Sequence, residues 1–342
     1  MSEGAKPMRQ NQWRRILLGF VISILALGAV FYIADYRQVW NALQQGNYVL
    51  FLPLAVASQL LSFIFRSFAW QTLLKKKVGV KKLFFTINVG YLVNNIFPFR
   101  AGEVARALLL SRSGLVSFWE AASTILIERA FDVLISVSIL LSSLPFVFAL
   151  KSRGDAAWAL PAAAFSGGVV LLGIFLLHVV ARNRERLLAW MSQLGQRWKL
   201  LARFSVGRME SFLNGLSVLT DGRSFFTLLG WMLLSWAANL AVIYTVLSIF
   251  IEPVSLLWAA FSMGVVSIGI IVPSSPGSIG VVEAAYMGGL AVFNVDSAKA
   301  LAFALVARAI YTIITTILGV YGLAQEGETL SQLYQNVTQR KG

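Results

Sequence analysis

The chain has no cysteine and a single histidine, His178. Disulfides, thiolate nucleophiles, cysteine-based zinc sites and multi-histidine metal cages are therefore excluded. A Ser-His-Asp hydrolase would have to use His178, and the usual hydrolase and phosphate-loop signatures are absent. Charge is scarce as well. Asp, Glu, Lys and Arg make up 13% of the 342 residues, against roughly 25% in a soluble domain. The acidic sign is the rarer one, 15 residues against 29 Lys and Arg. Hydrocarbon takes the place of charge: the AVILMFWYC fraction is 58% and the mean hydropathy is +0.73. An ordinary soluble enzyme and a disordered chain are both ruled out. What remains is an all-α polytopic membrane protein with little catalytic equipment. It is not expected to be an enzyme, and no metal or cofactor is expected.

A bilayer core needs ~20 mostly apolar residues as a helix. Six stretches qualify as full spans: Ile16–Ala34, Tyr48–Leu74, Phe131–Leu150 with a helical lead-in from Trp119, Ala157–Ala181, Phe225–Ile251 and Ala298–Ala324. The first has a basic lead but no small-residue cleavage site, so it reads as a retained helix and not a signal peptide. Two further segments are apolar but broken, giving about eight hydrophobic segments. Lys82–Ser111 is interrupted from Asn94 to Gly102, and Val254–Phe293 from Pro273 to Gly280. Proline lacks an amide hydrogen and glycine weakens a helix, so each break ends one half-helix and starts another. Each broken pair either dips in and returns or crosses twice. Bare backbone at membrane depth is tolerated only against protein or a wet cavity.

Lys and Arg placement sets topology. They concentrate in the N-terminal tail, in the loop Lys75–Lys82 and in residues 182–224. With six full spans these fall on one side, the cytoplasm, and both termini are cytoplasmic in a cell (inner or plasma) membrane. The net charge of +14 then reflects positive-inside bias and contact with anionic lipid, and calls for no nucleic acid. Residues 182–224 carry Leu187, Met191, Leu194, Trp198 and Leu201 at helical spacing among basic residues, the pattern of an interfacial amphipathic segment. Residues 325–342 form a cytoplasmic tail, and 1–342 reads as one membrane domain. His178 falls near the cytoplasmic end of its span and reads as interfacial.

The broken segments are related. Pro98, Gly102 and Glu103 are followed by Arg129; Pro276, Gly280 and Glu283 are followed by Arg308. Pro98 to Arg129 is 31 positions and Pro276 to Arg308 is 32; Glu103 to Arg129 is 26 and Glu283 to Arg308 is 25. Repeat one covers about 48–150 and repeat two about 225–324. On this topology the breaks enter from opposite sides, an inverted repeat of the kind that places a transporter site near the midplane.

Ionisable residues inside a membrane helix are costly and normally pair or face water. Here they are Arg66, Glu128, Arg129, Asp132, Glu283 and Arg308, with Arg100, Glu103 and Arg106 at the first break. Glu128 and Asp132 share a helix face and repel, while Arg129 can bridge to Asp132. The acidic pair invites a further cation, either Arg66, Arg100, Arg106 or a substrate amine. The bland alternative is a charge network that only locks helices together. Arg100 and Arg106 flank a half-helix N-terminus, a setting that suits phosphate; equally, they could only mark a cytoplasmic mouth. Glu103 and Glu283 could simply complement helix dipoles or cap their helices, or pair with Arg129 and Arg308 within their own repeats. Asn94, Asn95, Ser274 and Ser275 can satisfy broken backbone.

This ordered set resembles the lysylphosphatidylglycerol synthase transmembrane family, also called the flippase-like domain family, over roughly residues 12–325. By resemblance, a Pro-x-Arg-x-Gly-Glu box maps to Pro98, Arg100, Gly102 and Glu103. A Glu-Arg-x-x-Asp box maps to Glu128, Arg129 and Asp132, and a Pro-Gly-x-x-Gly-x-x-Glu box to Pro276, Gly277, Gly280 and Glu283. The resemblance implies a multi-pass module that, in the multiple peptide resistance factor, moves aminoacylated phosphatidylglycerol between leaflets. Only residues 325–342 follow the last span, so the synthase's soluble aminoacyl-transferase domain is not expected here.

Four readings follow. The first is a lipid translocase acting on a phosphate-bearing lipid, a phospholipid or polyprenyl phosphate. The expected site residues are Asn95, Pro98, Arg100, Gly102, Glu103, Arg106, Glu128, Arg129, Asp132, Pro276, Gly277, Gly280, Glu283 and Arg308. The second is an ion-coupled transporter of a small solute. The third is an intramembrane transferase with Glu128 or Asp132 as base, which the lack of a nucleophile motif disfavours. The fourth is a membrane partner of a separate lipid- or glycan-synthesising enzyme. Homo-oligomerisation is open to all of them.

Overall fold

The computed structural model describes residues 10–97, 100–151, 221–270 and 275–327, with isolated positions between 161 and 183; side chains of 10–20 are outside the described set. Ten α-helices are described: α1 (Gln10–Ile33), α2 (Tyr36–Gln45), α3 (Tyr48–Leu73), α4 (Val80–Ile96), α5 (Ala101–Arg112), α6 (Phe118–Lys151), α7 (Gly222–Phe250), α8 (Leu256–Gly269), α9 (Val281–Ala291) and α10 (Ser297–Gln325). A 3₁₀ turn, Pro276–Ser278, precedes α9. Among the described residues there is no strand, and the protein is an all-α polytopic membrane protein. The span expected at Ala157–Ala181, most of the 182–224 segment and of the 325–342 tail, Pro98, His178, Pro273 and Ser274 lie outside the described residues.

Among the described residues, four helices are long and apolar enough to cross a bilayer: Tyr48–Leu73, Phe118–Leu150, Gly222–Phe250 and Ser297–Gln325. They match four of the expected full spans, and the lead-in to the third is continuous with it from Phe118. The broken segments are pairs of short helices, with 17 residues in α4, 12 in α5, 14 in α8 and 11 in α9. Each falls short of the ~20 residues of a full span. The order long helix, two short helices, long helix thus occurs twice, in α3–α6 and in α7–α10.

Helix starts follow capping chemistry. The Asp35, Asp221, Ser255 and Asp296 side chains accept amide hydrogens at the starts of α2, α7, α8 and α10, over 2.8 to 3.2 Å. These acceptors satisfy donors that have no partner within the helix. Helix α2 was not expected; its Asn- and Gln-rich sequence reads as a connection. It buries Val39 and leaves Trp40 exposed.

Packing relies on close backbone approach, as membrane helices do. Helix α3 lies along α7, α10 along α4, and α8 along α6. In α10, a Cβ at Gly319 would stand 2.7 Å from Leu92 Cβ, and one at Gly322 2.9 Å from Val89 Cγ2. In α5, a Cβ at Gly102 would collide with the Gly90 carbonyl of α4. Helix α1 packs on α9, and its Ser23 Oγ accepts the Ser275 amide over 3.0 Å. The first span is therefore tied to the second break.

Candidate functional site

The two breaks meet. Asn95, at the end of α4, donates to Thr315 Oγ1 of α10 over 3.0 Å. A Cβ on Gly277 would lie 3.6 Å from the Asn95 carbonyl. Arg100 Nη2 donates to the Ile270 carbonyl, where α8 ends, over 3.2 Å. Between the breaks lies a cavity of about 640 Å³. The first break contributes Asn95, Arg100 and Glu103; the second contributes Ser275, Pro276 and Gly277. Arg66, Arg129, Asp132 and Arg308 complete its charged lining.

Each break is shaped by its sequence. Arg100 has a left-handed backbone, φ 50°, which is uncommon outside glycine and worth reading as a functional signal. Asn94 Oδ1 accepts the Gly102 amide over 2.8 Å and so satisfies the start of α5. In the second break Gly277 and Gly280 have φ of 65° and 85°, a region glycine enters without a Cβ penalty. Glu283 Oε2 accepts the Gly280 amide over 2.7 Å, a capping interaction at the third residue of α9.

Two charge networks stand behind these breaks. In the first, Glu128 is wholly buried. It receives Arg106 Nη1 over 3.1 Å and Nη2 over 2.8 Å, and Arg66 Nε over 2.9 Å. Arg66 also binds Asp132, which accepts Trp236 Nε1 over 3.1 Å. Arg129 bridges Glu103 (3.3 Å), Glu128 (3.3 Å) and Asp132 (3.1 Å). In the second, Arg308 pairs with Glu283 and donates to the Gly277 carbonyl (2.7 Å) and the Ser278 carbonyl (3.3 Å). Glu103 meets Arg129 and Glu283 meets Arg308, as the recurring spacing allows.

Of the expected site residues, Asn95, Arg100, Glu103, Arg129, Asp132, Pro276, Gly277 and Arg308 line the cavity. Gly102, Arg106, Glu128, Gly280 and Glu283 do not; they form the wall behind it. Grouping Arg106 with Arg100 as two phosphate-facing cations needs correction. Arg106 is 1% exposed, both of its terminal guanidinium nitrogens bond Glu128, and its Cζ stacks 4.1 Å from the Trp70 ring centroid. Residue 106 is four positions beyond Gly102, so it shares the helix face pressed against α4.

Several lining residues were not among the expected site. Gln59, Ser62 and Arg66 on α3 and Ser235 and Asn239 on α7 face the cavity. Ser62 and Ser235 cross-bond, with Ser235 Oγ donating to the Ser62 carbonyl over 3.1 Å. The signal was a polar stripe at spacings of three and four in otherwise apolar helices. The arrangement offers fixed guanidinium groups, partly neutralised by carboxylates, in a polar recess between half-helices. Such a recess suits binding of an anion.

A family model described as the lysylphosphatidylglycerol synthase TM region matches residues 16–319. The chain is similar to "Glycosyltransferase AglD" of Haloferax volcanii, 24% identical over 336 residues, covering 89% of this chain and 53% of that protein. It thus spans about half the length of that relative. Two proteins named "UPF0104 membrane protein" from Methanothermobacter thermautotrophicus are similar over nearly their whole length. One is 22% identical over 326 residues (91% of this chain, 96% of the relative), the other 23% over 329 (92% and 95%).

Proposed function

Because the chain belongs to the lysylphosphatidylglycerol synthase TM region family, we propose that it is a lipid translocase. It moves a phosphate-bearing lipid, a phospholipid or polyprenyl phosphate, between leaflets of the cell membrane, and acts as a carrier and not an enzyme. The observation that carries this reading is the ~640 Å³ recess where the two breaks meet, lined among the described residues by four arginines and two carboxylates. A lipid phosphate would exchange water for guanidinium hydrogen bonds there while its tails stay in the bilayer. We read the short helix pairs as re-entrant and the two halves as inverted repeats, with both termini cytoplasmic. Alternating release of the Glu103–Arg129 and Glu283–Arg308 pairs would open the recess to one leaflet and then the other.

The test is leaflet exchange in proteoliposomes, read by dithionite quenching of fluorescent phospholipids and polyprenyl phosphates. Exchange above that of empty vesicles supports the reading; equality for every lipid removes it. Parallel uptake of soluble solutes under an ion gradient tests the ion-coupled solute alternative.

A second reading comes from the similarity to a glycosyltransferase-named relative of about twice the matched length. In it, this membrane module presents a lipid to a separate lipid- or glycan-synthesising enzyme. Co-purification of such an enzyme, with no leaflet exchange by the isolated protein, would favour it.

A further inference from the structure

The charges around the recess nearly cancel, and the remainder is informative. In the first network three arginines, Arg66, Arg106 and Arg129, face three carboxylates, Glu103, Glu128 and Asp132. In the second, Arg308 faces Glu283. Arg100 is left over. Among the described residues no carboxylate pairs with it; its hydrogen-bond acceptor is the neutral Ile270 carbonyl. The residues of the two breaks that lie outside the described set, Pro98, Phe99 and 271–274, are uncharged by sequence. Counted together with Arg106, Glu128 and Glu283 behind it, the described lining carries one net positive charge, and Arg100 holds it.

We propose that the recess is matched to a lipid head group of one net negative charge, a phosphodiester, and that Arg100 is the residue that reads that charge. This rests on the lipid-translocation reading and narrows it to a substrate class. Three physical arguments carry it. A charge held at membrane depth is stable only when compensated. A monoanion balances Arg100, whereas a zwitterion leaves it unbalanced and a cation adds to it. A phosphate monoester carries −1.5 to −2 near neutral pH and overshoots. The other arginines cannot supply a second charge without stripping carboxylates that are themselves buried or half-buried. Finally, a phosphodiester oxygen is a stronger acceptor for a guanidinium than a neutral carbonyl. Arg100 would therefore give up Ile270 for the ligand and, in doing so, release one break from the other. The left-handed backbone at Arg100 is consistent with a position kept for its side chain, since glycine would fit it more easily.

The experiment is a head-group panel in the proteoliposome exchange assay, with labelled phosphatidylglycerol, phosphatidylcholine, phosphatidic acid, lysyl-phosphatidylglycerol and a polyprenyl glycosyl phosphodiester. The wild-type chain should exchange the singly anionic diesters about tenfold or more faster than the zwitterion or the cation. The faster of the two diesters identifies whether a glycerophospholipid or a polyprenyl lipid is the source. Arg100→Gln should slow the diesters by about tenfold or more and bring them level with phosphatidylcholine; Arg100→Lys should keep the preference. Wild-type selectivity requires no variant, so it stands even if Arg100→Gln does not fold. No exchange of any lipid by the wild type would overturn the translocation reading itself. Exchange that is indifferent to head-group charge, or slowed equally for every lipid by Arg100→Gln, would overturn this inference and leave translocation standing.

Discussion

Arg106 places both terminal guanidinium nitrogens on Glu128, 3.1 Å from Oε1 and 2.8 Å from Oε2, with both side chains out of reach of solvent. The pair joins α5, the half-helix after the first break, to α6. It fixes the wall of the recess and leaves the lining to other residues. Removing one partner strands a buried charge, which typically costs about 3–5 kcal/mol. Glu128→Gln should therefore lower stability by about that amount, read as a fall in thermal midpoint of the detergent-solubilised protein. The double variant Arg106→Met/Glu128→Leu should be more stable than either single variant, because both charges leave together.

The Glu103–Arg129 and Glu283–Arg308 pairs should respond unequally. Glu283 serves both Arg308 and the Gly280 amide, and Arg308 holds two carbonyls of the second break. Glu103 is a quarter exposed, and its partner Arg129 keeps Glu128 and Asp132. Glu103→Gln should cost less than about 1 kcal/mol, and Glu283→Gln about 3–5 kcal/mol. Equal losses in a thermal-unfolding comparison would contradict this division.

Gly102 should tolerate no side chain, because backbone stands where its Cβ would go. Gly102→Ala should cost about 1–3 kcal/mol by overpacking and push α5 away from α4. Gly288 in α9 has open space around it, and Gly288→Ala should be neutral or stabilising by up to about 1 kcal/mol. Purification yield and thermal midpoint of the two variants, side by side, check the contrast.

How much of this was legible in the sequence depends on how far each contact reaches along the chain. The four long helices, both breaks and the capping role of Glu283 follow from local patterns of hydropathy, proline, glycine and a three-residue spacing. Glu103–Arg129 and Glu283–Arg308 follow from a spacing that recurs in both halves. The fate of Arg106 is different. Its partner lies 22 positions away on another helix, and nothing local distinguishes a buried arginine from one facing a cavity, except that it shares a face with Gly102. Arg66 is 62 positions from Glu128; the acidic pair invites a cation, but several arginines answer equally well until helix packing decides. Helix α2 was missed because its residues are polar, although Asp35 stood as its cap.

The account rests on a lipid passing through the recess, and one substitution addresses that directly. Ser267 on α8 lines the recess, whereas its neighbour Ile268 does not and is exposed on the outer face. Ser267→Trp should fill the recess and Ile268→Trp should not. In dithionite-quenching exchange of labelled phosphatidylglycerol, the account predicts exchange by the wild type and Ile268→Trp, and its loss in Ser267→Trp with a retained thermal midpoint. Undiminished exchange by folded Ser267→Trp would contradict passage through the recess.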